Sequence, residues 1–120
     1  MSALRRTALV VDDEEMIRRL VRTVLEADDF EVVEAGGGQE ALHLAVSEHP
    51  AVVVLDVMMP DMDGVEVCQK LDHDIVKVVM LTARDDPEIE KRCRAAGAVA
   101  FLTKPFSSIE LLDLIEELTA

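Results

Sequence analysis

The chain has 120 residues, room for one domain, taken here as residues 1–120. Half are apolar, yet there are only three Phe and no Trp or Tyr, so the core must be Val, Leu, Ile, Ala and Met and a base-stacking surface is disfavoured. The net charge of −13 repels phosphate backbones, which argues against direct contact with nucleic acid.

Short apolar runs alternate with helical periodicity. Thr7–Val11 (TALVV) predicts a first strand, ending at Asp12. Glu14–Ala27 reads as a helix, with Ile17, Leu20, Val21, Val24 and Leu25 on one face. Phe30–Glu34 predicts a second strand, with nothing chemical at its end. Gly36–Gly38 reads as a turn, without the Lys-Ser/Thr of a phosphate loop. Gln39–Glu48 predicts a second helix, Ala41, Leu42, Ala45 and Val46 inward, stopped by Pro50.

Ala51–Leu55 (AVVVL) is apolar throughout, as in a strand covered on both faces, and Asp56 follows it. Val65–Leu71 predicts a short third helix and Val76–Leu81 a fourth strand ending at Thr82. Asp86–Ala96 predicts a fourth helix, with Pro87 in its first turn and Gly97 at its end. Ala98–Thr103 predicts a fifth strand. Ser107–Leu118 predicts the last helix, with Ile109, Leu112, Ile115 and Leu118 or their neighbours inward. Five βα units in series imply an α/β fold: one parallel sheet with helices on both faces.

No apolar run reaches membrane-spanning length, and Met1–Arg6 lacks the apolar stretch of a secretory signal, so a soluble cytoplasmic protein is expected. Cys68 and Cys93 show no metal-ligand spacing and read as free thiols, buried or at the surface. His43, His49 and His73 are scattered and read as surface residues. Met58, Met59 and Met62 read as packing residues.

In open α/β sheets, ligands sit beyond the carboxyl ends of the strands. The first strand delivers Asp12 and Asp13 there, the third Asp56, the fourth Thr82 and Ala83, the fifth Lys104 and Pro105. Carboxylates about 4 Å apart repel by about 4 kcal/mol per pair at a surface-like dielectric, so positive charge must join them. Lys104 supplies one charge. Mg²⁺, which takes few carboxylates and leaves positions for phosphate oxygens, suits the remainder. Such a site favours phosphoryl chemistry, with Asp56 as nucleophile, Asp12 or Asp13 holding the metal, and Thr82 and Lys104 on phosphoryl oxygens.

Asp12-Asp13, Asp56-Val57-Met58-Met59-Pro60-x-Met62-Asp63-Gly64, Thr82-Ala83 and Lys104-Pro105-Phe106 together resemble the receiver domain of two-component response regulators. The resemblance covers essentially the whole chain. It implies a flavodoxin-like (βα)5 fold with strand order 2-1-3-4-5, an order for which a member of this family is a general reference example. It further implies Mg²⁺, with Mn²⁺ as a substitute, on Asp13, Asp56 and the Met58 backbone carbonyl, with Asp12 acting largely through metal-bound water. Asp56 is then the phospho-acceptor, served by a sensor histidine kinase or a histidine phosphotransfer protein. Thr82, Ala83 and Lys104 bind the phosphoryl group, and Lys104–Pro105 resembles the family's usual cis peptide.

The resemblance implies a switch through Thr82 and Phe101. Phe101 lacks the hydroxyl of the Tyr often found there, which biases it inward. The readout surface would be the fourth helix, fifth strand and fifth helix, acting on an effector or output domain, with a phosphorylation-dependent homodimer as one outcome. Met58 and Arg84 occupy positions that modulate dephosphorylation in the family. The chain is not expected to be an enzyme beyond its own phosphorylation and dephosphorylation.

Two departures and three alternatives complete the reading. Receivers that precede winged-helix DNA-binding domains usually carry Asp-Asp-Tyr in the fifth strand and an early basic residue in the last helix. This chain has Ala98-Val99-Ala100-Phe101 and Leu111-Leu112-Asp113-Leu114 instead. Asp61-Met62-Asp63-Gly64 looks like the nucleophile motif of haloacid-dehalogenase-type phosphatases, but Pro60 precedes it and the strand has already ended. The same stretch fails as an EF-hand loop, whose first and twelfth positions would be Met59 and Lys70. A phosphorylation-independent interaction module is the other reading, though such receivers usually lack an acidic residue or the lysine that this chain keeps.

Overall fold

Strands and helices alternate strictly in the computed structural model, which describes residues 6–119. The elements are β1 (Arg6–Val11), α1 (Glu15–Ala27), β2 (Phe30–Ala35), α2 (Gly38–Glu48), β3 (Val52–Asp56), α3 (Gly64–Lys70), β4 (Lys77–Thr82), α4 (Pro87–Ala95), β5 (Ala100–Thr103) and α5 (Ser108–Thr119). All neighbouring strands pair in parallel, in the order β2-β1-β3-β4-β5. This is the flavodoxin-like α/β fold expected from the sequence, with β3 at the centre of the sheet.

The period-two pleat of the strands divides the core into two layers. Leu9, Val11, Val53, Leu55, Val78 and Met80 point to one side and pack with Ala41 of α2, Val67 and Cys68 of α3, and Cys93 of α4. Ala8, Val10, Val52, Val54, Val79 and Leu81 point to the other, against Val21, Val24 and Leu25 of α1 and Leu111 and Ile115 of α5. Each fully buried Val, Leu, Ile or Met among them contributes about 1.5–3 kcal/mol of transfer free energy. Apolar residues on both faces explain why the three central strands read as unbroken hydrophobic runs.

Several boundaries differ from the sequence reading. Asp56 and Thr82 are the last residues of β3 and β4, still paired in the ladder, rather than the first residues beyond them. β5 begins at Ala100 because the Ala98 amide bonds the Cys93 carbonyl at the end of α4 instead of joining the sheet. The last helix starts at Ser108 because Ser107 caps it: its Oγ accepts from the Glu110 amide while Glu110 Oε1 accepts from the Ser107 amide.

Three residues expected inward face solvent. Val46 is 74% exposed and Ile109 72%, while Leu20, at the edge of its helix stripe, is 39% exposed. Val46 lies about 140° around the helix from buried Ala41, so Leu44 takes the inward place. Ile109 lies about 160° from Leu111, which is fully buried.

His73 is not a surface residue: it is half-buried, its ring lies against Gly97, and its Nε2 donates to the Cys68 carbonyl at 2.7 Å. His43 and His49 are exposed. Both cysteines are buried free thiols, and burial pushes the Cys68 thiol up to about 11. Met62 is buried and Met59 half-buried against the core, but Met58 is 69% exposed and lies outside the core clusters.

Candidate functional site at the strand ends

The carboxyl end of the sheet gathers the polar residues that the apolar strands exclude. Asp12 follows β1 directly, held by its amide on the Ala35 carbonyl, and is fully buried. Its Oδ1 accepts from the Glu14 amide at 2.9 Å and its Oδ2 from Lys104 Nζ at 2.9 Å. Asp56, at the tip of β3, is 4% exposed, whereas Asp13 faces solvent. One carboxylate oxygen from each of Asp12, Asp13 and Asp56 lies within 4.8 Å of the others.

Lys104 reaches this cluster from the end of β5. Its amide bonds the Thr82 carbonyl at 2.7 Å, and the Lys104–Pro105 peptide is cis. Besides Asp12, its ammonium lies 3.5 Å from Glu14 Oε1 and 3.6 Å from Asp56 Oδ1. Burial opposes the charge on Lys104, but Asp12, Asp56 and Glu14 outweigh it and hold its pKa above the ordinary lysine value. Burial, reinforced by the Asp12 charge, pushes the Asp56 carboxyl up to about 6 despite Lys104 and a hydrogen bond from the Met58 amide. One lysine therefore does not neutralise three carboxylates.

A hard divalent cation fits this donor set. The ligands are all oxygens, two are shielded from water, and the third leaves an open side toward solvent. Mg²⁺ accepts such incomplete protein coordination and keeps positions for water or phosphate oxygens.

Thr82 is buried at the tip of β4, where its Oγ1 accepts from the Arg84 amide at 3.2 Å, and Ala83 beyond it is exposed. Phe101, in β5, is half-buried against the core layer under α2, α3 and α4. It belongs to the sheet rather than to the carboxylate cluster.

The segment after Asp56 turns back tightly. The Val57 amide bonds the Leu81 carbonyl and the Gly64 amide bonds the Val57 carbonyl, both at 2.8 Å. A Cβ at Gly64 would stand 2.1 Å from the Asp56 carbonyl oxygen, so only glycine closes this turn. Asp63 then caps α3 by accepting from the Val65 amide at 2.7 Å.

Sequence reasoning missed a supporting layer. Arg18 donates from Nη1 to the Asp12 carbonyl at 2.7 Å and from Nε to Glu34 at 3.0 Å, and Arg22 donates to the same carboxylate at 2.6 Å. Arg22, then Arg18, hold the Glu34 carboxyl below its ordinary pKa against its partial burial. The end of β2, which looks chemically empty in sequence, thus anchors the loop that carries Asp12 and Asp13. The signal available was the i, i+4 pair Arg18 and Arg22 on the helix that follows the two aspartates.

The profile of the response regulator receiver domain family matches residues 8–116. This chain belongs to the response regulator receiver domain family. The receiver domain is 40% identical over 111 residues to the transcriptional regulatory protein SrrA of Staphylococcus aureus, covering 92% of this chain and 46% of that protein. It spans about half the length of the curated relatives it matches. Among solved structures it resembles the chemotaxis protein CheY4 of Vibrio cholerae, at 32% identity and a TM-score of 0.90, over 96% of this chain and 99% of that one. It also resembles a CheY-like receiver domain protein of Methanospirillum hungatei, at 30% identity and a TM-score of 0.88, over 95% and 93% of the two chains.

Proposed function

We propose that this receiver domain takes a phosphoryl group onto Asp56 and passes the change to a partner surface. The observation that carries the reading is Asp56 itself: a carboxylate at the tip of the central strand, beside Asp12 and Asp13, with Lys104 Nζ at 3.6 Å. Asp12, Asp13 and Asp56, with the Met58 carbonyl, would hold Mg²⁺ (or Mn²⁺). When bound, the ion supplies charge neutralisation for the incoming phosphoryl oxygens.

The chain's own residues do the rest. An Asp56 carboxylate oxygen attacks phosphorus, and the bond from phosphorus to the donor breaks as the acyl phosphate forms. A phosphohistidine on a sensor kinase or phosphotransfer protein is the donor. Lys104 leaves part of its ion pairing with Asp12 to meet one phosphoryl oxygen. Thr82 Oγ1 and the Ala83 amide meet others, which draws Thr82 toward the site and away from its bond to Arg84. Phe101, packed on the same sheet layer as β4, is the residue positioned to follow. The α4–β5–α5 surface is the readout to an effector or output domain, with homodimerisation as one form of it.

The proposed site of action is the cytoplasm; among the described residues no helix is long and apolar enough to cross a membrane. The domain turns over no external substrate; it catalyses only its own phosphorylation and dephosphorylation. Borohydride reduction after treatment with acetyl phosphate and Mg²⁺ tests the reading, since it converts an aspartyl phosphate to homoserine. Peptide mapping should then find the change at residue 56. A change at another aspartate, or none, would contradict it.

A further inference from the structure

The loop after Asp56 is tied to the neck of α2 by one side chain. Asp61 Oδ1 accepts from the Gly38 amide at 3.0 Å and Oδ2 from the Gln39 amide at 3.3 Å. These donors are free amides of a helix N-terminus, which favours the negative charge. They hold the Asp61 carboxyl below its ordinary pKa.

The glycines of the turn are shaped for this contact. Gly37 has φ −165° and ψ 174°, extended backbone that any residue adopts, so its conformation does not require glycine. Its space is what matters: a Cβ there would stand 2.9 Å from both carboxylate oxygens of Asp61 and would push that carboxylate off its place. A Cβ at Gly38 would stand 2.6 Å from Met62 Cβ. Gly37 and Gly38 thus make room for Asp61 and Met62.

The same loop carries Met58. Its side chain is 69% exposed, so its backbone position depends on hydrogen bonds in the loop rather than on its own packing. Backbone bonds fix the loop at Val57 and Gly64; between them the Met58 amide bonds Asp56, Met59 and Met62 pack against the core, and Asp61 is the side-chain tether to α2. We propose that Asp61 is a positioning residue: by latching the loop to the α2 N-terminus it sets where the Met58 carbonyl stands beside Asp56. The inference rests on the phosphoryl-acceptor reading above, in which that carbonyl is a Mg²⁺ ligand.

The test is a calorimetric Mg²⁺ titration with metal-free amide hydrogen exchange at pH 7. It uses wild type, Asp61→Ala, Asp61→Asn, Gly37→Ala and the double variant Gly37→Ala/Asp61→Ala. In the Asp61 variants the Gly38 and Gln39 amides should lose protection without metal, and the Mg²⁺ Kd should rise about tenfold, the lower end of outer-shell effects. Gly37→Ala should reproduce both effects alone and add nothing in the Asp61→Ala background. If Asp61→Ala does not fold, Asp61→Asn and Gly37→Ala carry the test. Lost protection with an unchanged Mg²⁺ Kd would reduce Asp61 to a helix cap and overturn the proposal, as would unchanged protection. A wild type that binds no Mg²⁺ would sink the underlying reading, a result distinct from either.

Discussion

The two loops that flank Asp56 are held in different ways. The loop from Val57 to Asp63 is fixed by long-range bonds: to the Leu81 carbonyl, to the amides of α2 through Asp61, and to α4, where Arg92 lies 3.7 Å from Asp63. The loop from Ala83 to Asp86 has only local bonds among the described residues: the Arg84 amide to Thr82 Oγ1, the Glu88 amide to the Asp86 carboxylate and the Glu90 amide to the Asp86 carbonyl. A metal ligand needs a fixed carbonyl; a switch needs a segment that moves at little cost. The domain places one kind of loop on each side of Asp56.

The sharpest way to break this contrast is Gly64→Ala. A methyl group 2.1 Å from the Asp56 carbonyl forces the rigid loop off its path, with a loss of about 4 kcal/mol in urea unfolding. Lys104→Met comes next. It strands the fully buried Asp12 beside Asp56 and should cost about 3 kcal/mol at pH 7 without metal, with part of the loss recovered by added Mg²⁺.

Asp56→Asn should act in the opposite direction. A pKa raised to about 6 means the folded protein keeps a proton that the unfolded chain has lost. That contribution is full below about pH 4 and is lost as pH rises through about 6. The asparagine variant escapes the loss, so metal-free it should be about 2 kcal/mol more stable than wild type at pH 7 and equal to it near pH 4. A difference that persists unchanged at pH 4, followed by thermal unfolding, would contradict the electrostatic account. The smallest effect belongs to the locally bonded loop: Arg84→Ala should change stability by less than about 0.5 kcal/mol, because its side chain is exposed and its amide bond to Thr82 survives.

The fold and the cluster were legible because each chemical residue stands where an apolar run stops. Val52–Leu55 then Asp56, Val78–Leu81 then Thr82, and Ala8–Val11 then Asp12 each mark a strand tip by an abrupt change in polarity. Contacts between distant elements left no such mark. Glu34 meets Arg18 and Arg22 across the β2–α1 gap, and Asp61 meets Gly38 from 23 residues away. Neither partner looks unusual alone: Glu34 reads as a strand-end acid and Gly36–Gly38 as a turn. Periodicity also misplaced Val46 and Ile109, since an apolar residue off the main helix stripe reads the same whether or not the sheet reaches it.

The most direct test of Asp56 as the phospho-acceptor is intact mass after incubation with acetyl phosphate, with Mg²⁺ or with chelator, for wild type and Asp56→Asn. The account predicts a gain of one phosphoryl group in wild type with Mg²⁺ alone, and none in the chelated sample or the variant. An equal gain in Asp56→Asn, or no gain in a folded, Mg²⁺-binding wild type, would contradict it.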